Sequence, residues 1–246
     1  MTYVPTQADY ALALAGVILM AIEVYLFTGL APTAGSGVPR VRRTTAYRYL
    51  FAYQWALVAC IVALWIHKER PWSVLLLGSP KLLEFGAGII LAGAYLTVAI
   101  VQTRTIMKRP EIWDRVRNKM AEIEPIAPHT RDERRMWTLV AITAGCCEEV
   151  LFRGFLLAFL ASLAGLIAAV VIAALLFGLF HAYYGWKGIL KTGAFGLIVT
   201  AIALWSASLV PVIALHASVD LMSGDLAWRI ISNSSNAMPG PGNRPE

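Results

Sequence analysis

The stretch "CCEEVLFRGF", residues 146–155, decides the fold and raises the functional question together. It lies inside a longer apolar run, "MWTLVAITAGCCEEVLFRGFLLAFLASLAG", of the length a membrane-spanning helix needs. Glu148, Glu149 and Arg153 therefore stand where a span carries almost no charge. A single charge at the bilayer centre costs about 2.5–3.5 kcal/mol on insertion scales, so three within six residues must be compensated by something the helix faces.

The whole chain fits that reading. Of its 246 residues, 58% are hydrophobic and only 15% are charged, whereas soluble domains carry about 25% charged residues. The excess apolar residues come in blocks of about twenty, which predicts an all-α, polytopic membrane helical bundle. Seven spans can be drawn, at 9–31, 47–67, 82–102, 136–162, 163–184, 188–206 and 208–228. The first lacks a basic leader and a cleavage site and reads as a retained span rather than a signal peptide. The organisation expected is N-terminal helices and a connector over 1–129, a four-helix core over 130–232, and a polar, Pro/Gly-rich disordered tail over 233–246.

The net charge of +6 points to orientation and anionic lipid rather than to nucleic acid, for which no motif is present. Of the 21 Lys and Arg, only Lys68, Arg70 and Lys81 fall on one side of the seven-span layout, and Arg153 lies within a span. All the others share the opposite side, so the N-terminus is expected outside and the C-terminus in the cytoplasm. Between the third and fourth spans, "RPEIWDRVRNKMAEIEP" places Ile112, Trp113, Val116, Met120 and Ile123 near helical spacing after Pro110. This predicts a short amphipathic helix at the interface. "TRDE" sets Thr130 three residues before Glu133, a capping box that starts the fourth helix. Cys60, Cys146 and Cys147 read as packing residues without metal-finger spacing.

Glu149 and Arg153 are spaced i, i+4, so they share a helix face and can pair. Glu148 is turned about 100° away and needs a partner from another helix or a polar cavity. Two other spans supply candidates. "LLFGLFHAYYGW" brings His181, and "VIALHASVDLM" brings His216 and Asp220 at i, i+4. Two chemistries suit this set. A glutamate beside a neutral histidine can activate water, with a second histidine and a short polar residue stabilising an oxyanion. Alternatively, Glu148, His181 and His216 form a two-His, one-carboxylate zinc set with an open position for water. Both lead to hydrolysis of a peptide bond in or near the membrane. Signatures of other intramembrane proteases are missing: there is no HExxH, no GxSG in a span and no GxGD. Gly154 and Ala158, four residues apart, are expected to let a neighbouring helix pack closely behind the site.

"EEVLFR" (148–153), "FGLFH" (177–181) and "HASVD" (216–220) resemble, in order and placement, the EExxxR, FxxxH and HxxxN/D motifs of the CPBP family. That family comprises the CAAX-protease and bacteriocin-processing (Abi) membrane proteins, and the resemblance covers about 130–228. It implies that Glu148 activates water with His181 as partner, and that Glu149 and Arg153, with Phe177, support the site. It also implies that His216 and the residue at 220 stabilise the oxyanion. Ionised aspartate offers no N–H, so Asp220 must be protonated, orient His216, or help bind a metal. The cofactor is left open between zinc and none. The implied partners are the lipid bilayer and a membrane-associated peptide or protein substrate. The expected location is a prokaryotic inner membrane. A non-catalytic binding or immunity protein of the Abi type is the alternative. A proton-coupled transporter fits less well, since no inverted repeat or paired broken helix is evident.

Overall fold

The computed structural model describes residues 3–32, 37, 39–121 and 123–237, the last four by backbone alone. Among these residues every regular element is helical. The helices are α1 (Gln7–Thr28), α2 (Arg43–His67), α3 (Leu82–Met107), α4 (Trp113–Lys119), α5 (Arg131–Glu149), α6 (Leu157–Ala164), α7 (Leu166–Leu179), α8 (Gly185–Ser206) and α9 (Val210–Ala237). A π-helical segment, Val150–Leu156, joins α5 to α6 without a break.

Among the described residues, five helices are long and apolar enough to cross a bilayer: α1, α2, α3, α8 with the turn before it, and α9. Their apolar residues do not all turn inward. Leu14, Ile18 and Tyr25 of α1 and Leu82, Leu83, Ile90 and Val98 of α3 are exposed, a surface that suits lipid rather than water. The chain is an integral membrane protein.

The seven expected spans correspond to helical segments, but two do not meet the length and composition of a crossing helix. The α5–π–α6 segment is long, yet its first turns are polar and its middle carries Glu148, Glu149 and Arg153. Helix α7 has only 14 residues, about 21 Å at 1.5 Å per residue, against a hydrocarbon core of roughly 30 Å. It begins where Gly165, at φ 82°, breaks the preceding helix. It ends at Leu179, so His181 sits in the turn beyond the helix rather than on it.

Local signals hold at several ends. Thr130 accepts from the Glu133 backbone N–H, and the Glu133 carboxylate accepts from the Thr130 N–H, starting α5 as the capping box predicts. The short turn between α8 and α9 is made by Ala207 in a left-handed conformation, followed by Ser208. The connector forms a 3₁₀ turn, Pro110–Ile112, and then α4, which is only two turns long. Helix α9 continues through residues 233–237, where the sequence predicts the start of the polar tail. The remainder of that tail, 238–246, lies outside the described residues.

Helix α5 is the centre of the bundle, packed on α2 and α9, while α3 lies against α9 and α7 against α8. The α5–α9 approach is close because Gly145 has no side chain. A Cβ there would come within 2.8 Å of the Ala217 backbone nitrogen. At Gly154 the neighbours are Leu75, from a 3₁₀ turn after α2, and Leu209, just before α9. At Gly154 itself the nearest neighbour is therefore the turn after α2, while α2 and α7 pack on the π segment through Trp65 and Phe177.

At one end of the molecule Asp9 caps α1 and is gripped by both terminal nitrogens of Arg70, each at 2.7 Å. Arg70 also lies over the rings of Trp65 and Tyr3. The bond to Asp9 raises the Arg70 guanidinium above its usual range, and burial raises the Tyr3 hydroxyl. At the other end the connector folds back onto α2. Arg43 donates to the Pro125 carbonyl at 2.8 Å, and the Tyr47 hydroxyl donates to the Ile126 carbonyl.

Candidate active site

The site lies around a cavity of about 310 Å³ toward the connector end of the bundle. Its walls come from the C-terminal ends of α1 and α7, the first halves of α2, α8 and α9, and α5 from Trp137 to Glu148, with Ile123 and Ile126 of the connector beside it. Glu148, His181, His216 and Asp220 all line this one space, so the structure brings together the candidate catalytic residues that the sequence singles out.

Glu149 and Arg153 form the pair expected from their spacing, with Arg153 Nη1 3.0 Å from Glu149 Oε1. Both are buried, at 0% and 2% exposure. Arg153 is satisfied on every side. Its Nε donates to Thr200 Oγ1 and its Nη2 to the Gly196 carbonyl, each at 3.3 Å, and its plane lies 4.2 Å from the centre of the Phe177 ring. Gly196 makes room for this, since a Cβ there would crowd both Arg153 and Phe177 at 3.3 Å. Five donors in a planar fork allow one cation to do this; a lysine could not.

Glu149 also accepts from His216 Nδ1 at 2.7 Å. A carboxylate oxygen only accepts, so Nδ1 carries hydrogen and Nε2 is the nitrogen turned to the other acids. It stands 3.9 Å from Glu148 Oε2 and 3.6 Å from Asp220 Oδ2. His181 is oriented in the same way by the main chain. Its Nδ1 donates to the Phe177 carbonyl at 2.7 Å, four residues back, which leaves Nε2 as its working nitrogen. Phe177 thus serves the site twice, through its carbonyl under His181 and its ring under Arg153.

Glu148, unlike Glu149, lines the cavity. Its Oε1 accepts from Gln54 Nε2 of α2 at 3.0 Å, and its Oε2, like Oε2 of Glu149, is buried without a hydrogen-bond partner. The partner that Glu148 needs comes from the N-terminal half. There Gln54 is 0% exposed, and Tyr53 beside it donates to Glu23 of α1, which also lines the cavity. These three residues are not among those read from the sequence as candidates. The signal was present, because Glu23 in "MAIEVYLF" and Gln54 in "FAYQWALVA" are themselves polar residues within apolar spans, which mark functional interiors by default.

The zinc set expected as one alternative is not assembled. Among the described residues no group of three His, Cys, Asp or Glu side chains is placed to hold a metal ion. His216 Nε2 and Glu148 Oε2 face each other at 3.9 Å. Cys60, Cys146 and Cys147 are all free.

The cavity thus brings Glu148, His181, His216 and Asp220 together, with the buried Glu149–Arg153 pair behind them. Residues 132–222 match the family model of the Rce1-like, type II CAAX prenyl endopeptidases. The matched segment contains all three motifs, so the family resemblance read from the sequence is borne out, and it supports a CAAX-type intramembrane endopeptidase as the general class. Nothing among curated proteins or solved structures matches the chain.

Proposed function

We propose that the protein hydrolyses a peptide bond of a membrane-associated peptide or protein, using Glu148 and His181 to activate water. The observation that carries this reading is that Glu148 lines the cavity together with His181, fixed through one oxygen by Gln54 and unpaired at the other. A carboxylate held in this way is oriented to take a proton from a water on its free side. His181, with Nδ1 committed to the main chain, offers Nε2 to the same water. Water oxygen then attacks the scissile carbonyl, and the proton passes through Glu148 to the leaving nitrogen.

His216 stands opposite. Doubly protonated, it donates Nδ1–H to Glu149 and presents Nε2–H to the oxyanion that develops on the carbonyl. Asp220 faces that same Nε2, which supports an orienting role toward His216 rather than direct donation. Glu149 and Arg153 support the site without touching substrate. No step runs through a metal, since the candidate ligands do not converge.

The test is cleavage of a panel of membrane-associated peptides by purified protein in detergent, comparing wild type with Glu148→Ala, each with and without chelator. The expected result is activity in wild type that survives chelator and a loss of at least about 100-fold in Glu148→Ala. Full activity in Glu148→Ala would sink the reading. Loss on chelation would transfer the water to a metal and refute the glutamate–histidine mechanism. The non-catalytic binding reading has no observation in its favour, because a binder does not require a glutamate and a histidine oriented toward one water.

A further inference from the structure

We propose that Gln54, on α2 and far outside the family-matched segment, is a positioning residue for hydrolysis. On this view its amide fixes the rotamer of Glu148, which lines the cavity, by holding Oε1 and leaving Oε2 unpaired 3.9 Å from His216 Nε2. The inference rests on the functional reading above and adds a component that the three motifs do not contain.

The geometry sets each hydrogen in turn. The Tyr53 hydroxyl donates to Glu23, so its oxygen is free to accept. Gln54 Nε2 reaches that oxygen at 3.4 Å and Glu148 Oε1 at 3.0 Å. Both neighbours of the amide nitrogen are therefore acceptors. Turning the amide over would set its carbonyl against a carboxylate, so the NH₂ orientation is decided by chemistry. The resulting chain runs from Glu148 through Gln54 and Tyr53 to Glu23, tying the activating carboxylate of α5 to α2 and α1.

Solvent cannot substitute for this bond. Gln54 is 0% exposed. The space between Glu23, Tyr53, Gln54, Glu148 and His181 is a void of only about 10 Å³, which holds at most about one water. Without the amide, Glu148 Oε1 loses its anchor, and the carboxylate no longer has one fixed orientation beside His216 Nε2. A carboxylate that must be aligned for each turnover then spends most of its time misaligned, which lowers kcat and leaves substrate binding untouched.

The experiment uses full-length protein in detergent and a peptide that wild type cleaves. Gln54→Met keeps the length of the side chain and removes the donor; Gln54→Glu keeps the shape and replaces the donor with oxygen. Both should lower kcat by roughly 10- to 100-fold with KM within about twofold of wild type. Tyr53→Phe, which removes only the prop behind Gln54, should lower kcat less, by about threefold to tenfold, again at constant KM. A kcat within twofold of wild type in either folded Gln54 variant overturns the proposal, as does a loss that appears in KM alone. If Gln54→Met does not purify as folded protein, Gln54→Glu and Tyr53→Phe decide the matter by the same criteria. Wild type that cleaves no peptide overturns the functional reading, and this inference with it. An active wild type with unimpaired Gln54 variants overturns this inference alone.

Discussion

Arg153 makes three hydrogen bonds and lies over the rings of Phe177 and Phe152 while 2% exposed, and its main partner, Glu149, is completely buried. Removing the cation strands a buried carboxylate, and such broken pairs cost about 3–5 kcal/mol. Arg153→Met is accordingly expected to lower stability by that order, read from thermal or SDS-induced unfolding in detergent, and to abolish activity. Arg153→Lys keeps the charge but cannot bridge Glu149, Thr200 and Gly196 at once, so its unfolding midpoint should fall between the two. Equal stability of Arg153→Met and wild type would show that the pair is not structural. At this scale the sequence was informative for a physical reason. The i, i+4 spacing places Glu149 and Arg153 on one helix face whatever the rest of the fold does.

At the scale of elements, the site depends on how closely α5 and α9 approach. Gly145 meets Ala217, which is the neighbour of His216, and a Cβ added there would lie 2.7 Å from the Ala217 Cβ and 2.9 Å from its Cα. Because backbone atoms cannot swing aside, Gly145→Ala must move one helix. It is expected to destabilise the protein by about 1–3 kcal/mol, as overpacking does. It should also cost activity disproportionately, since α9 carries His216 and Asp220 against α5. Thermal unfolding together with a cleavage assay checks both, and an unshifted midpoint would refute the tight α5–α9 contact. The sequence drew attention instead to Gly154 and Ala158, because their spacing looks like a helix-packing motif. Spacing cannot reveal which neighbour arrives. The π segment that links the glutamates to α6 was equally hidden, although such segments recur at functional sites.

At the scale of the whole molecule, the cavity lies toward the end that holds the connector and most of the Lys and Arg. If that side is cytoplasmic, as the distribution of positive residues predicts, the active site is reached from the cytoplasm. A reporter fused after the C-terminus should then report a cytoplasmic location, and a cysteine introduced at Lys68 should react with an impermeant thiol reagent added from outside. The Lys68 substitution is best made in a variant lacking Cys60, which is exposed. Reversed labelling would invert the topology and move the cavity mouth to the other face.

The sequence by itself determined the all-helical membrane class, the start of α5, the Glu149–Arg153 pair and the four motif residues that meet at the cavity. Each of these follows from a local or one-dimensional quantity: apolar length, capping chemistry, helical spacing, or the cost of a charge in an apolar run. Only the tertiary structure decided that α7 is too short to cross on its own, that His181 stands in a turn, and that the candidate metal ligands do not converge. It alone showed that Glu148 is held by Gln54 from a helix nearly a hundred residues earlier. Contacts of that kind depend on which faces of distant helices meet, and the bundle fixes that by packing every helix at once.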